Sequence, residues 1–332
     1  MSFTTLIVSA LMQGMVYAPL ALGVFIAFNI LKVSDLTLDG SFVFGMAVCA
    51  VLTISGHPVL ALIVGTLSGA AAGFVTGILQ TKLKINRLLS GILTMTALYT
   101  VNFAVLGGQA NRYLTAKDPA TGVPVDSKTV FSPIRAALES LLGPGGGRER
   151  AQMLNNVVPL IVAAIITVVC VTSLSVFFKT RTGLSVRAVG DNEEMVRSSS
   201  ISADRMRIIG LMISNALVAL SGAILCQQQK FADLNSGSGM LIAGLAAVII
   251  GQVIFGARTK LTATLIAAVV GSMLYRVIIQ LAYSVNIPSY FVKAISAVIV
   301  VIALSVPTVR EKLGMLKIKQ AAKKEAQNEL GS

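Results

Sequence analysis

The chain has 332 residues, of which 55% are hydrophobic and only 12% charged, and its mean hydropathy is +0.82. A soluble domain carries about 25% charged residues, so an ordinary water-facing globule is excluded and lipid is the natural solvent for most of this sequence. The formal charge of +13 does not point to nucleic acid, because the basic residues gather in short connectors between apolar runs and in the C-terminal tail. That is the pattern of a bacterial cytoplasmic (inner) membrane protein obeying the positive-inside rule.

In chain order, apolar runs near the roughly 20 residues needed to span a bilayer fall at about 4–31, 38–56, 59–81, 88–107, 153–178, 206–226, 237–256, 261–284 and 291–307. The expected fold is an all-α, polytopic membrane protein with 8–9 transmembrane helices, some of them discontinuous. The opening "MSFTTLIVSALMQGMVY" lacks a basic n-region and reads as a retained first span. The third run carries Gly65, Gly69, Gly73 and Gly77, a small-residue ridge whose ordinary use is close helix packing. Basic connectors at Lys82, Lys84 and Arg87, from Lys179 to Arg207, at Arg258 and Lys260, and in the tail from Arg310 to Lys324 are read as cytoplasmic. With nine crossings this puts the N-terminus outside. The loop 109–152 then faces outward, and "SPIRAALESLLG" within it predicts one short helix. Cys49, Cys170 and Cys226 lie inside apolar runs and indicate neither a disulfide framework nor a metal site. His57 falls in a "GHP" turn.

Two interruptions look alike. At an offset of 198, "LKVSDLTLDGSF" (31–42) meets "QKFADLNSGSGM" (229–240), aligning Lys32 with Lys230, Asp35 with Asp233 and Leu36 with Leu234. The offset moves five spans along, an odd number, so the copies have opposite orientations. Inverted repeats with polar, Gly-containing interruptions point to a transporter's pathway. The candidates are Asp35, Thr37, Asp39, Gly40 and Ser41 in one copy and Asp233, Asn235, Ser236 and Gly237 in the other. An Asp preceding an apolar helix is also a ready N-cap.

In the charged segment Lys179–Arg207, Asp191 followed by Glu194 resembles a capping box. The spacing predicts a short helix from Asn192 to Ser199 that exposes Met195 and Val196. A surface helix of this kind suits docking in a groove of a soluble partner. Arg276, in "GSMLYRVIIQ", sits near the outer boundary of the eighth span. It reads either as a snorkelling anchor or as a charge at the outer mouth.

The stretches "INRLLSGILTMTALYTVNFAVLGG", "SVRAVGDNEEMVRSSSISADRMRIIGLMISNALVALSGA" and "GLAAVIIGQVIFG" closely resemble permease subunits of ATP-binding-cassette importers. They belong to the superfamily of branched-chain amino acid and ribose permeases, near a branch associated with tryptophan and tyrosine uptake. The resemblance implies a homodimer of permeases in the bilayer, two cytoplasmic ATPase subunits and an extracytoplasmic solute-binding protein. It implies a permease domain over 1–308, with a coupling loop at 179–207 and a basic cytoplasmic tail at 309–332. It assigns Arg187, Asp191, Asn192, Glu193, Glu194, Met195 and Arg197 to ATPase coupling and the two polar interruptions to the pathway, with a small solute as cargo, an amino acid of the aromatic kind by the nearest branch. It also leads one to expect a glutamate where this chain has Gln252, which lies beside that pathway.

The chain contains no G-x-x-x-x-G-K-[ST] phosphate loop and no nucleophile paired with a base. It is therefore expected to bind no cofactor and no metal and to catalyse nothing alone, with ATP and magnesium handled by the partner. The rival reading is a proton- or sodium-coupled secondary transporter using Asp35, Asp39 or Asp233.

Overall fold

The computed structural model describes residues 3–117, 124–142, 148–256 and 260–284, with a few positions between 291 and 305. The structure is built almost wholly of helices, and among the described residues seven are long and apolar enough to cross a membrane, or eight if the bent first pair counts as one span. The ninth run at 291–307 lies largely outside the described residues, and the basic tail and Arg258 lie wholly outside them.

The first span is broken. Helix α1 (Phe3–Val16) and helix α2 (Ala18–Phe25) are separated at Tyr17, with Pro19 in the first turn of α2, and the axis bends by 41° there. Proline fits a helix start because its missing N–H has no intrahelical acceptor to satisfy. A π-helical turn, Ile26–Ile30, ends this span. The next helices are α3 (Thr37–Ile54), α4 (Pro58–Thr81) and α5 (Arg87–Val105). The loop between α5 and the next long helix holds three short strands, β1 (Asn111–Tyr113), β2 (Thr115–Lys117) and β3 (Pro124–Asp126), and the amphipathic helix α6 (Phe131–Leu142). This matches the short helix expected in that loop. Helix α7 (Arg148–Phe177) leads to α8 (Arg181–Asp191), α9 (Glu193–Ser198) and α10 (Ala203–Gln229). A strand β4 (Phe231–Asp233) and a 3₁₀ turn (Leu234–Gly237) precede α11 (Met240–Phe255) and α12 (Leu261–Ser284). Strand β4 pairs antiparallel with β1, and β2 with β3.

Helix α10 is the central post, buried on most of its length and packed on α4, α3 and α2. The glycine ridge of α4 explains how. Gly65 faces Ala223, Gly69 faces Asn215 and Ala219, Gly73 faces Leu211 and Gly77 faces Ile208, so the ridge runs the length of α10. A Cβ at Gly77 would stand 3.1 Å from the Ile208 Cα, and one at Gly73 would run into the Leu211 carbonyl. Small residues let two backbones approach where lipid offers no hydrophobic drive. The opposite faces of α4, α5 and α7 expose Leu60, Ile63, Leu67, Leu89, Leu93, Ile165 and Val169. That surface is apolar enough to demand lipid.

The aligned interruptions share a backbone. Lys32 and Lys230 both adopt a left-handed conformation (φ 53° and 60°) at the end of a helical segment. Three residues on, the Thr37 N–H donates to Asp35 Oδ1 at 2.9 Å, and the Asn235 N–H donates to Asp233 Oδ1 at 2.9 Å. Non-glycine residues seldom accept positive φ; Lys84 (φ 53°) and Ser200 (φ 60°) do so as well, so the two aligned positions share a local geometry that also occurs elsewhere in the chain. Helices α3, α4, α5, α7 and α10 lie between the two copies. Lys32 pairs with Asp191 of α8 (2.9 Å), whereas Lys230 pairs with Asp126 of β3 (2.6 Å).

Candidate functional site

A cavity of ≈ 340 Å³ opens between α3, α5 and the 3₁₀ turn. Helix α3 contributes Asp39, Gly40 and Val43, and α5 contributes Met95, Thr96, Tyr99 and Asn102. The spacing of three and four residues in α5 puts those side chains on one stripe. Leu234, Asn235, Gly237 and Ser238 complete the wall. The second interruption therefore faces the cavity, while its Asp233 is turned to local capping and accepts from Asn235 N–H and from Ser236 Oγ (3.2 Å).

The first interruption is built differently. Asp35 is 0% exposed, and Asn215 Nδ2 of α10 donates to its Oδ2 at 2.8 Å. Ser41 Oγ donates to Asn215 Oδ1 (2.6 Å), and the Thr37 and Thr76 hydroxyls share a hydrogen bond of 2.8 Å. Asp35, Thr37 and Ser41 thus form a sealed polar knot joining α3, α4 and α10, and none of them reaches the cavity wall. Burying such groups is tolerable only because each finds a partner. Asp39 bridges the two copies: the Gly239 N–H donates to its Oδ2 (3.1 Å) and the Leu241 N–H to its Oδ1 (2.7 Å). A carboxylate on α3 therefore caps the start of α11, with the favourable sign for a helix N-terminus. Gln252 lies half-buried on α11 and is not part of the cavity lining.

Arg276 lies over an aromatic ring. Its guanidinium carbon lies 3.4 Å from the centroid of the Tyr17 ring, at the break between α1 and α2, and Tyr17 in turn stacks on Phe42 of α3. The guanidinium thus rests on an aromatic face.

On the side of α8 and α9, the anticipated short helix is present but its start differs. The cap is Asn192, whose Oδ1 accepts from the Met195 N–H at 3.1 Å, and Asp191 is instead the last residue of α8, which is itself a helix where a loop was expected. Met195 is 58% exposed as anticipated, but Val196 is 2% exposed and packs with Val189 and Ala203. Glu194 has no hydrogen bond to the cap. Glu193 does the connecting: Arg87 at the start of α5 meets it at 3.0 Å, Arg197 at 2.9 Å, and Arg207 of α10 also pairs with it. Burial alone would raise the Glu193 carboxyl. Hydrogen bonds from Arg197 and Arg207, and their charges, outweigh that and hold it below the usual carboxylate range. Arg197 further pairs with Asp204 at 2.7 Å. Arg187 lines a small cavity of ≈ 180 Å³ with Asn29, Asp191 and Thr264. Gly190 of α8 abuts the Ile30 carbonyl, so the α8–α9 unit rests directly on the π-helical turn.

This combination of spanning helices, repeated interruptions and an ionic link from a surface helix to a cavity-lining helix suits a transport subunit. The family described as "Branched-chain amino acid transport system / permease component" matches residues 6–304. The chain belongs to this permease family. It is 34% identical over 301 residues to a tyrosine transport system permease protein of Clostridioides difficile, covering 90% of each chain. It is 31% identical over 303 residues to an uncharacterized protein of Rickettsia prowazekii, covering 90% of this chain and 97% of that one. An autoinducer 2 import system permease protein of Yersinia enterocolitica is 25% identical over 233 residues, which are 70% of this chain and 55% of the relative. No solved structure gives a significant match.

Asn102, Tyr99 and Glu193's partners escaped the sequence reading. The signal available was a polar stripe, Thr96, Tyr99 and Asn102, inside an otherwise apolar run.

Proposed function

We propose that this permease subunit pairs with a second copy in a bacterial inner membrane to form the pathway for an amino acid. A binding protein outside would deliver the solute and two cytoplasmic ATPases would drive import. The observation that carries this reading is the Glu193 junction. It ties α9, with Met195 exposed for a partner, to α5, which lines the cavity. Movement imposed on α9 by a nucleotide-driven partner would reach the cavity through Arg87. The similarity to a tyrosine permease favours an aromatic amino acid as cargo. ATP and magnesium would be held by the partner, since this chain lacks a phosphate loop. In this reading the permease domain spans 1–308, with the outer loop 109–152 facing the binding protein and the coupling loop 179–207 facing the ATPase.

The test is co-purification. Wild type should retain its ATPase in detergent, and Met195→Asp should lose it by at least tenfold, since a charge would be desolvated in an apolar groove. Insertion should stay intact. Equal retention of ATPase by Met195→Asp would overturn the docking assignment.

A carboxylate-coupled secondary transporter is the second reading, favoured by the wholly buried Asp35. Uptake into vesicles separates the two: import by the first needs ATP and survives a protonophore, whereas import by the second collapses with the gradient.

A further inference from the structure

The smaller cavity, of ≈ 180 Å³, lies where three elements meet: the π-helical turn that ends the first span, helix α8 and the start of α12. Phe25 and Leu261 border it, and Asn29, Arg187, Asp191 and Thr264 bring polar groups to it. Arg187 is half-buried in this wall, yet it makes no hydrogen bond and no ion pair among the described residues. A guanidinium carries five donors and keeps its charge at any physiological pH. Holding it partly desolvated and unpaired has a cost, and a bound anion would remove that cost.

The neighbouring groups leave the charge unanswered. Asp191 stands four residues on from Arg187, but its Oδ1 is taken by Lys32 at 2.9 Å. One carboxylate thus serves two cations, and the unspent charge is positive. The carbonyls that end the first span are engaged as well: the Leu31 N–H donates to the Ile26 carbonyl and the Val33 N–H to the Ala27 carbonyl, both at 2.9 Å. Helix α12 opens in the same wall at Leu261, which brings the positive end of a helix dipole there. These features select an anion. The volume falls below the roughly 300 Å³ at which sites for whole small molecules begin, so a compact anionic group fits better than an aromatic amino acid.

The level in the membrane points to the source. The first span closes at Ile30 and α12 opens at Leu261, so the cavity sits at the ends of two spans, where hydrocarbon gives way to headgroups. Leu184, one turn before Arg187 on α8, is 51% exposed and offers acyl chains an apolar neighbour. Basic pockets between spanning helices suit anionic headgroups. We infer that this cavity binds the phosphate of an anionic phospholipid headgroup, with Arg187 as its principal donor and Asn29 and Thr264 beside it. The bound lipid fixes α8, and through it the start of α9, to the bilayer surface. This goes beyond the permease reading and holds whichever solute is carried.

The chain has no tryptophan, so Leu184→Trp supplies a single emitter beside the cavity. The full-length protein carrying it is reconstituted in phosphatidylcholine bilayers, and brominated phosphatidylglycerol or brominated phosphatidylcholine is titrated in as the quencher. Phosphatidylglycerol should be preferred about tenfold, the value of one charge-assisted hydrogen bond made without a competing choline cation. Arg187→Gln should bring that preference to about one, whereas Arg187→Lys keeps the charge and should retain most of it. Arg181→Gln removes an equal charge from the exposed start of α8 and should leave the preference near tenfold. Millimolar inorganic phosphate should not change it either. Loss of the preference in that phosphate would mean that the cavity takes the free ion, and the lipid assignment would fall. A preference near one in the parent protein, which needs no cavity variant to measure, would overturn the inference. So would an unchanged preference in Arg187→Gln or an equal fall in Arg181→Gln.

Discussion

Asp35 and Asp233 make the same turn in opposite surroundings. Each follows a left-handed lysine by three residues and each accepts the N–H two residues ahead at 2.9 Å. Around Asp35 the chain is walled in by Asn215, Ser41, Thr37 and Thr76. Around Asp233 the next residue but one, Asn235, stands in the wall of the cavity. A repeated motif therefore does not imply a repeated duty: the first copy fastens three helices together, and the second forms part of a cavity wall.

The sharpest way to break this comparison is to remove the fastening. Asn215→Leu leaves the Asp35 carboxylate without its side-chain donor in a buried site and should destabilise the protein by about 3 kcal/mol or more. That should show as lost membrane abundance and a lower unfolding temperature. Asp233→Ala removes a half-buried local cap and should cost about 1 kcal/mol. Similar losses in both would mean that the two copies are equally structural.

Thiol chemistry sharpens the same contrast. In a background without the native cysteines, Asn235→Cys should react readily with a water-soluble reagent, and Thr37→Cys should stay unreacted because Thr37 is fully buried. Rapid labelling at Thr37 would show that the knot opens.

Asp39 joins the copies, and Asp39→Ala should cost about 1–2 kcal/mol, the value of a good helix cap. Hydrogen exchange should speed up in the first turn of α11 and not in α3. Faster exchange across α3 as well would show that the cap matters to both helices.

The smallest effect concerns the surface link. Because Glu193 is held below its ordinary range, its contribution is present at neutral pH and is lost as pH falls through its folded value. Limited proteolysis around 192–202 should therefore accelerate in acid. Glu193→Gln should be cut at one rate across that range, and a persistent acid response in that variant would place the titrating group elsewhere.

Most helices were legible from the spacing of apolar runs, because a bilayer demands a length that single-sequence hydropathy reports well. The offset of 198 was legible too, since a polar interruption costs too much in lipid to be accidental. The different fates of its copies were not. Asn215 lies in the middle of α10 and Thr76 in the last third of α4, and nothing local to Asp35 announces that the one will bond it and the other its neighbour Thr37. The same holds for Glu193, whose partners Arg87 and Arg207 start two other helices. The helix at 193–198 could be anticipated from its polar start and first-turn acids, but Asn192 took the cap because it immediately precedes Glu193. Asn102 was hidden by its surroundings, since one amide in an apolar run reads as a tolerated exception.

Along α10, Gly69 and Gly73 of α4 place main chain against main chain, with no long side chain between them to rearrange. Such a contact has no alternative rotamers to hop into, and an added methyl at Gly69 or Gly73 would strike a carbonyl. Helices α3, α4 and α10 must therefore travel as one rigid block. A stroke that widens or narrows the cavity would then move α5 or the 3₁₀ turn, the walls outside that block, with the Arg87–Glu193 pair tethering one end of α5. Drift in sequence should accordingly be cheap on the lipid side of α4 and nearly forbidden on its glycine side.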